Sequence, residues 1–253
     1  EPMRKNTAPC IAYASMKIHR RNPDAVVVVS PADHLILKED EFRQTLERAV
    51  EKAQGQDKLI TLGIQPNRPE TGYGYIQFVH AKSLLKKVKT FTEKPELSLA
   101  KTFLESGDFY WNSGMFVWKA ATILDEIHRH QPALGKVMDR IAQLLKAGAP
   151  KQTIDEVYRW ATSVSIDNGV NQIVFTAGGV TSALVVPSGG ICDASRLVPV
   201  KSIFRTSGLH GAESARTRAG IAEDHERRRP GIPALSDVWT SSFFTNGMEL
   251  LSI

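Results

Sequence analysis

The sequence predicts an α/β domain with a parallel sheet over its first 170 residues, and three observations support this prediction. A short apolar run at 25–30, rich in β-branched residues, has the composition of a strand that is covered on both faces. An amphipathic segment at 39–54 and a second apolar run at 58–64 follow, which makes a β-α-β unit with a right-handed crossover. The later segments keep alternating between strand-like and helix-like patterns, which neither an all-helical nor an all-β domain would do.

Each predicted element has a local cause. Thr7 is the predicted N-cap of a helix that runs to about Ile18, because proline, here Pro9, is tolerated in a first helical turn. The helix at 39–54 is predicted from one apolar face, formed by Phe42, Leu46, Ala49, Val50 and Ala53. A loop punctuated by proline and glycine follows at 65–72. Beyond it we expect strands near 73–79 and 87–93, a helix around 96–106, a strand at 114–118 and helices between 120 and 161.

The composition excludes several classes of protein. The chain has 253 residues, 42% of them hydrophobic and 23% charged, which is typical of a globular protein. No apolar run approaches the roughly 18 residues that a membrane span needs, so no membrane partner is expected. Cys10 and Cys192 are too few for a disulfide framework, and the reducing cytoplasm is the expected location. Because the first residue is Glu1 and not Met, we expect the chain to begin inside a longer protein.

The first candidate site residue is Asp33, which directly follows the apolar run at 25–30. Ligands of open α/β sheets bind beyond the carboxyl ends of the strands. A carboxylate in that place can hold a hard divalent cation against a phosphate. The alternative is that Asp33 caps a turn, as Pro-x-Asp sequences commonly do.

Two segments combine glycine, aromatic and small polar residues. In 71–75, Gly72 and Gly74 bracket Tyr73, so the backbone can approach a ligand while the ring forms a flat wall. A hairpin turn that requires positive φ explains these glycines equally well. In 110–118, Asn112 begins a small polar step beside an apolar wall, which is a suitable place to orient a polyol. The alternative there is a turn inside a core hairpin.

The fourth candidate is the pair Glu93 and Lys94, which Pro95 places at the end of a strand. Glu93 can accept hydrogen bonds from sugar hydroxyls, and Lys94 can meet a phosphate as a point charge. The alternative is an exposed surface ion pair that contributes little to stability.

The order of these segments is more informative than any one of them. The series RKNTAPC (4–10), VVVVSPADHLI (26–36), ETGYGYIQ (70–77), FTEKP (91–95), YWNSGMFVW (110–118) and VSIDNGV (164–170) resembles the bacterial mannose-1-phosphate guanylyltransferases. The resemblance implies a Rossmann-like, open and mostly parallel sheet of the sugar-nucleotide nucleotidyltransferase type. It also implies GTP and mannose 1-phosphate as substrates and Mg²⁺ as the cofactor.

The resemblance further implies a role for each matching residue. Asp33 would bind Mg²⁺ and Lys94 the sugar phosphate, and these two are the expected catalytic residues. The nucleotide-binding residues would be Asn6, Thr7 and Ala8, against the guanine, together with Gly72. The substrate-binding residues would be Tyr73, Gly74, Glu93, Lys94, Asn112 and Asp167. Asn168 stands where the family usually has Tyr.

The sequence also departs from the family. Neither the opening GGxGxRLxPLS segment nor a later Gly-Trp-Ser-Asp segment is found, and the resemblance stops near residue 170. Residues 1–169 contain 15 Lys and 9 Arg, whereas 170–253 contain 1 Lys and 7 Arg. We therefore divide the chain into a partial nucleotidyltransferase domain (1–170) and an unassigned segment (171–253), interpreted as a poorly ordered or non-native tail produced by frameshift, mis-assembly or fusion. Because the triphosphate loop is not found, we expect this chain to turn over its substrates poorly.

Other functions stay open at this stage. The chain is alternatively a non-catalytic remnant that binds a sugar nucleotide, or a related transferase that uses another nucleotide. A nucleic-acid binder is suggested only by the pI of about 9.2. The net charge of +5 is mild, and no recognition helix or stacked aromatic pattern supports this class, so no nucleic-acid partner is expected. A homo-oligomer is compatible with each of these interpretations.

Overall fold

The computed structural model describes residues 1–31, 34–82, 85–176, 181–186, 191–192 and 248–252. Helices and strands alternate along most of this chain. The helices are α1 (Thr7–His19), α2 (Glu39–Gly55), α3 (Leu97–Ser106), α4 (Ala120–His130), α5 (Pro132–Lys146), α6 (Lys151–Tyr158) and α7 (Gln172–Thr176), with a π-helical turn at Asp167–Asn171. The strands are β1 (Val26–Pro31), β2 (Leu35–Ile36), β3 (Leu59–Ile64), β4 (Tyr75–Phe78), β5 (Leu85–Thr92), β6 (Phe109–Lys119), β7 (Thr181–Val186), β8 (Ile191–Cys192) and β9 (Met248–Ser252).

The α/β class is confirmed, but the expectation of a mostly parallel sheet is wrong. The main sheet has the strand order β3-β7-β5-β4-β6-β1-β9, with a further pairing between β3 and β6. Among the described strands, only β3 and β7 pair in parallel, and all other pairings are antiparallel.

The cause is the long strand β6, which lies between the two strands of the predicted β-α-β unit. Its Phe116 pairs with Val29 of β1 on one side and with Thr61 of β3 on the other, antiparallel to both. Strands β1 and β3 therefore run parallel to each other across the intervening β6, and α2 connects them. The crossover unit is present, although its two strands are not neighbours.

Strand β1 is buried on both faces, as the composition of the apolar run at 25–30 predicts. Val27 and Val29 belong to a core formed with α1, α4, α5 and α6. Val26 and Val28 belong to a second core on the opposite face, where Ala49 of α2 packs. The predicted apolar face of α2 is confirmed, since Ala49, Val50 and Ala53 are buried and Phe42 and Leu46 are partly buried.

The largest boundary error concerns β6, which spans 109–119 and not only the predicted 114–118. The small polar step that begins at Asn112 is thus part of one strand and not the turn of a core hairpin. Ser113 fits inside the strand because its hydroxyl donates to the Leu62 carbonyl at 2.8 Å.

Part of the segment 171–253, which has no predicted role, pairs with the sheet through its backbone. Strand β7 pairs with β3 and β5, and β9 pairs with β1. Among the described residues, no helix is long and apolar enough to cross a membrane.

Candidate functional site

Four residues predicted to bind the sugar meet where β4 begins, β5 ends and the π-helical turn packs against β6. The Asn112 backbone N–H donates to the Gly74 carbonyl at 2.7 Å. A Cβ atom on Gly74 would lie 2.8 Å from Oε2 of Glu93. The Asn112 side chain donates through Nδ2 to Oδ1 of Asp167 at 3.0 Å. Two carboxylates and one amide, from separate chain segments, therefore share one small region.

The orientation of the Asn112 amide is fixed by its neighbours. Its Oδ1 accepts the backbone N–H of Gly114 at 3.1 Å. Gly114 has φ +71°, a left-handed conformation that glycine adopts without a steric penalty. The Thr61 hydroxyl approaches the same oxygen at 3.4 Å. Because the oxygen is occupied in this way, the amide nitrogen faces Asp167.

Asp167 has a strongly perturbed carboxyl group. Burial, followed by the nearby Glu93 carboxylate, raises the pKa of Asp167 to about 6, although hydrogen bonds from Asn171 and Asn112 act in the opposite direction. A group that is buried beside a like charge is a candidate functional residue, because its charged form gains most from a ligand that donates hydrogen bonds.

Lys94 is tied to Glu93 in this structure. Its Nζ lies 2.5 Å from Oε1 of Glu93, and its side chain is 62% exposed. The ion pair of the alternative interpretation is therefore present. The backbone of Lys94 has φ +37°, which is uncommon for a residue other than glycine.

Asn6 is the other non-glycine residue with positive φ in the described part of the chain, at φ 71° and ψ −174°. This combination is essentially restricted to glycine, and such strain is found preferentially at functional sites. Both left-handed residues thus belong to motifs that the sequence analysis selected for ligand binding.

The predicted nucleotide-binding residues at the start of α1 differ in exposure. Asn6 is exposed, and it is the N-cap of α1 in place of the predicted Thr7, since its side chain accepts the Thr7 N–H at 2.8 Å. The Thr7 hydroxyl accepts the Ile166 N–H at 2.8 Å. Ala8 is completely buried, and its N–H donates to the Val164 carbonyl at 3.1 Å. This packing attaches the helix start to the segment that carries Asp167 and leaves Asn6 as the most exposed of the three.

Gly72 and Tyr73 lie in the loop before β4. Neither Gly72 nor Gly74 is among the described glycines with positive φ, so the hairpin explanation for these glycines is not supported. The Gly72 N–H donates to Oε1 of Glu70 at 3.0 Å. The Tyr73 ring meets Trp111 edge-on, with 5.4 Å between the ring centroids.

Asp33, the predicted metal ligand, lies outside the described residues. The described chain reaches Pro31, whose Cγ would be 3.3 Å from a Cβ on Gly114, so β1 ends beside the strand that carries Asn112. Elsewhere in the described ranges, no three His, Cys, Asp or Glu side chains come together to hold a metal ion. The prediction that Asp33 binds Mg²⁺ stays a prediction.

Sequence reasoning missed residues that hold the site together. Glu70 accepts hydrogen bonds from four N–H groups of the loop before β4. The Gln131 side chain donates to the Gly169 carbonyl in the π-helical turn at 2.9 Å. Thr61 and Asn171 contact Asn112 and Asp167 respectively. Only Glu70 had a usable signal, a carboxylate two residues before a glycine in a loop, where backbone N–H groups are available.

The sequence profile of the nucleotidyl transferase family matches residues 1–161. The xanthan biosynthesis protein XanB of Xanthomonas campestris pv. campestris (strain B100) is 38% identical over 188 residues, 74% of this chain and 38% of that protein. The mannose-1-phosphate guanylyltransferase of Escherichia coli (strain K12) is 35% identical over 194 residues, 74% of this chain and 39% of that protein. This chain therefore spans about four tenths of the length of these curated relatives.

Two solved structures have a fold similar to that of this chain. A Thermus thermophilus structure described as mannose-1-phosphate geranyltransferase has a TM-score of 0.64 and 28% identity, covering 74% of this chain and 52% of that one. A structure described as mannose-6-phosphate isomerase, from Helicobacter pylori, has a TM-score of 0.60 and 27% identity, covering 76% of this chain and 72% of that one.

Proposed function

The chain belongs to the nucleotidyl transferase family, and from this premise we propose that it forms GDP-mannose and pyrophosphate from GTP and mannose 1-phosphate. The observation that carries the proposal is the convergence of Gly74, Glu93, Asn112 and Asp167 on one region beside β6. The similarity to the Escherichia coli mannose-1-phosphate guanylyltransferase supports the choice of guanine and mannose.

The sugar side of the proposed site matches the chemistry of a hexose. Sugar hydroxyls donate hydrogen bonds, and the carboxylates of Glu93 and Asp167 are strong acceptors. Gly74 carries no side chain, and a Cβ there would lie 2.8 Å from Oε2 of Glu93, so the Glu93 carboxylate would have to shift. In the proposal Tyr73 forms a wall of this region, and Asn112 both holds Asp167 and contributes to sugar binding.

The proposed reaction needs alignment and charge neutralisation more than covalent catalysis. A phosphate oxygen of mannose 1-phosphate attacks the α-phosphorus of GTP, and pyrophosphate leaves from the opposite side. Lys94 would leave its pairing with Glu93 and meet the sugar phosphate, which lowers the negative charge that opposes the attack. This exchange of partners is feasible because the lysine side chain is largely exposed.

The donor chemistry of Asp33 fits Mg²⁺, since a carboxylate oxygen is a ligand that this ion prefers. The described end of β1, at Pro31, lies beside Gly114, two residues from Asn112, and this proximity supports the assignment. When bound, Mg²⁺ would supply positive charge to the phosphates. On the nucleotide side, we assign Asn6, Thr7 and Gly72 to the guanosine part of GTP. Ala8 is completely buried, so in the proposal it supports this end by packing behind Asn6 and Thr7.

We also propose that residues 1–170 form the nucleotidyltransferase part of the chain, because the profile of that family matches residues 1–161. The similarity to XanB extends over 74% of the 253 residues, which is about 187 residues and hence more than this part. The backbone pairing of β7 with β3 is consistent with a contribution from beyond residue 170.

Calorimetry with GDP-mannose and a pyrophosphate-release assay test the proposal. We expect GDP-mannose to bind and Glu93→Ala to weaken binding about tenfold or more, because charge-assisted hydrogen bonds to the sugar are lost. The matched control is Glu105→Ala, which removes an exposed carboxylate of α3 and should leave the affinity unchanged.

The outcomes separate the candidate functions. Release of pyrophosphate from GTP and mannose 1-phosphate in Mg²⁺ buffer, even if slow, supports the enzyme. Binding of GDP-mannose with no release overturns the enzymatic part and identifies a non-catalytic binding protein. Equal thermal shifts with GTP, ATP, UTP and CTP would overturn the guanine assignment, and absence of GDP-mannose binding would overturn the whole proposal.

A further inference from the structure

Glu70 is the centre of the loop that precedes β4. Its Oε1 accepts the backbone N–H groups of Thr71 and Gly72, each at 3.0 Å. Its Oε2 accepts Nε of Arg68 at 3.2 Å and Nη2 of the same residue at 2.9 Å. One carboxylate therefore binds four N–H groups from both sides of its own position in the loop.

The backbone of Glu70 is anchored as well as its side chain. The Tyr75 hydroxyl lies 2.9 Å from both the backbone nitrogen and the carbonyl oxygen of Glu70. Tyr75 is completely buried in β4, so this anchor belongs to the core of the sheet. The contacts of Glu70 therefore fix the loop at 71–74 relative to β4.

The partners of Glu70 lead directly to the proposed sugar site. The guanidinium of Arg68 lies over the ring of Trp111, 5.2 Å from its centroid, and Tyr73 contacts the same ring edge-on. Trp111 precedes Asn112 in β6, and Gly74 follows Tyr73. A shift of the loop would consequently move both the aromatic wall and the glycine that lies against Glu93.

The carboxylate of Glu70 is held in its charged form. The hydrogen bond from the Gly72 N–H, together with the contacts from Arg68, lowers the pKa of Glu70. A charged acceptor holds two consecutive amides more firmly than a neutral one does.

We propose that Glu70 is a positioning residue that sets the conformation of the loop 71–74 for binding the sugar nucleotide. This inference rests on the proposed function, because the ligand is the GDP-mannose named there. Glu70 acts through Gly72, Tyr73 and Gly74, with the carboxylate bonded to Arg68 and to the loop amides.

The test uses the full chain with Glu70→Ala and Glu70→Gln. In Glu70→Ala both amides lose their acceptor, and we expect hydrogen exchange at Thr71 and Gly72 to accelerate about tenfold. We expect the affinity for GDP-mannose to fall about tenfold with little change in thermal stability. Glu70→Gln keeps the acceptor oxygen for the amides but loses the pairing with Arg68, so both effects should be smaller.

The matched control is Glu41→Gln, which neutralises a carboxylate that is likewise paired with a basic side chain, Lys38, at the start of α2. It should change neither the exchange rates of the loop nor the affinity. If Glu70→Ala does not fold, the smaller effects expected of Glu70→Gln on the same two measurements still decide the question.

Unchanged exchange at the two amides would overturn the inference, because Glu70 would then not hold the loop. Accelerated exchange with unchanged affinity would also overturn it, because the loop conformation would then not matter to the ligand. If the unmodified chain does not bind GDP-mannose, the proposed function fails together with the ligand part of this inference. The exchange rates would then still show whether Glu70 holds the loop.

Discussion

Replacing Asp167 by asparagine should remove the free-energy cost of ionising this buried carboxyl in the folded chain, and that cost depends on pH. The pKa of this carboxyl rises from its ordinary value of 3.8 to about 6 on folding. The folded state therefore binds the proton more tightly than the unfolded state does. The contribution of Asp167 to the free energy of unfolding is therefore largest below about pH 4. It falls as the pH rises towards 6 and stays low above pH 6.

The size of the effect follows from the two pKa values. One pKa unit corresponds to about 1.4 kcal/mol, so the full penalty above pH 6 is about 3 kcal/mol. At pH 4.5 about 1 kcal/mol of it is already present. Asparagine is neutral at every pH, and its carbonyl oxygen can still accept the Asn112 side-chain N–H. The stability advantage of Asp167→Asn should thus grow by about 2 kcal/mol between pH 4.5 and pH 8.

Urea unfolding of the unmodified chain and of Asp167→Asn across this pH range measures the difference. The control is Asp57→Asn, since Asp57 is 77% exposed and pairs with Lys119 at the surface. Comparing variants at each pH cancels the titration of groups that do not interact with Asp167. Parallel stability curves for the unmodified chain and Asp167→Asn would refute the reasoning, because the carboxyl would then titrate equally in both states.

Two further substitutions test backbone strain and close packing. Asn6→Gly should raise the free energy of unfolding by about 1 kcal/mol, because relief of about 1–3 kcal/mol of strain exceeds the entropy cost of glycine and the few tenths of a kcal/mol lost with the cap hydrogen bond. Urea unfolding checks this, and a destabilised variant would contradict it. Gly135→Ala should lower the free energy of unfolding by about 1–3 kcal/mol, since its Cβ would lie 2.7 Å from Cδ2 of His128. Gly55→Ala, where a Cβ meets nothing within 4 Å, is the matched control and should be neutral or stabilising in the same urea experiment.

The parts of the fold that were predicted correctly depend on local pattern. Four consecutive valines in β1 predict burial on both faces, and the spacing of apolar residues predicts the buried face of α2. The antiparallel pairing of most strands was not predictable from local pattern. It depends on β6 lying between β1 and β3, and no local property of β1 or β3 encodes which later strand separates them.

The candidate site shows the same limit. Motif order placed Glu93, Asn112 and Asp167 together, and the structure brings them into one region. The motifs did not indicate that Asn112 would donate to Asp167, because that bond joins residues 55 positions apart in the chain. Thr61 was missed for the same reason, since a single threonine in an apolar strand carries no sign of its partner.

The two left-handed residues connect the sequence motifs with the physics of the site. Asn6 and Lys94 adopt conformations that local preference opposes, so surrounding contacts must hold them there. For Asn6 those contacts are visible one residue later, where Thr7 accepts the Ile166 N–H and ties the helix start to the segment of Asp167. Together with the bond from the Ala8 N–H to the Val164 carbonyl, this contact joins the nucleotide end of the proposed site to its sugar end. A ligand that spans both ends would find them already at a fixed separation, which reduces the ordering that binding requires.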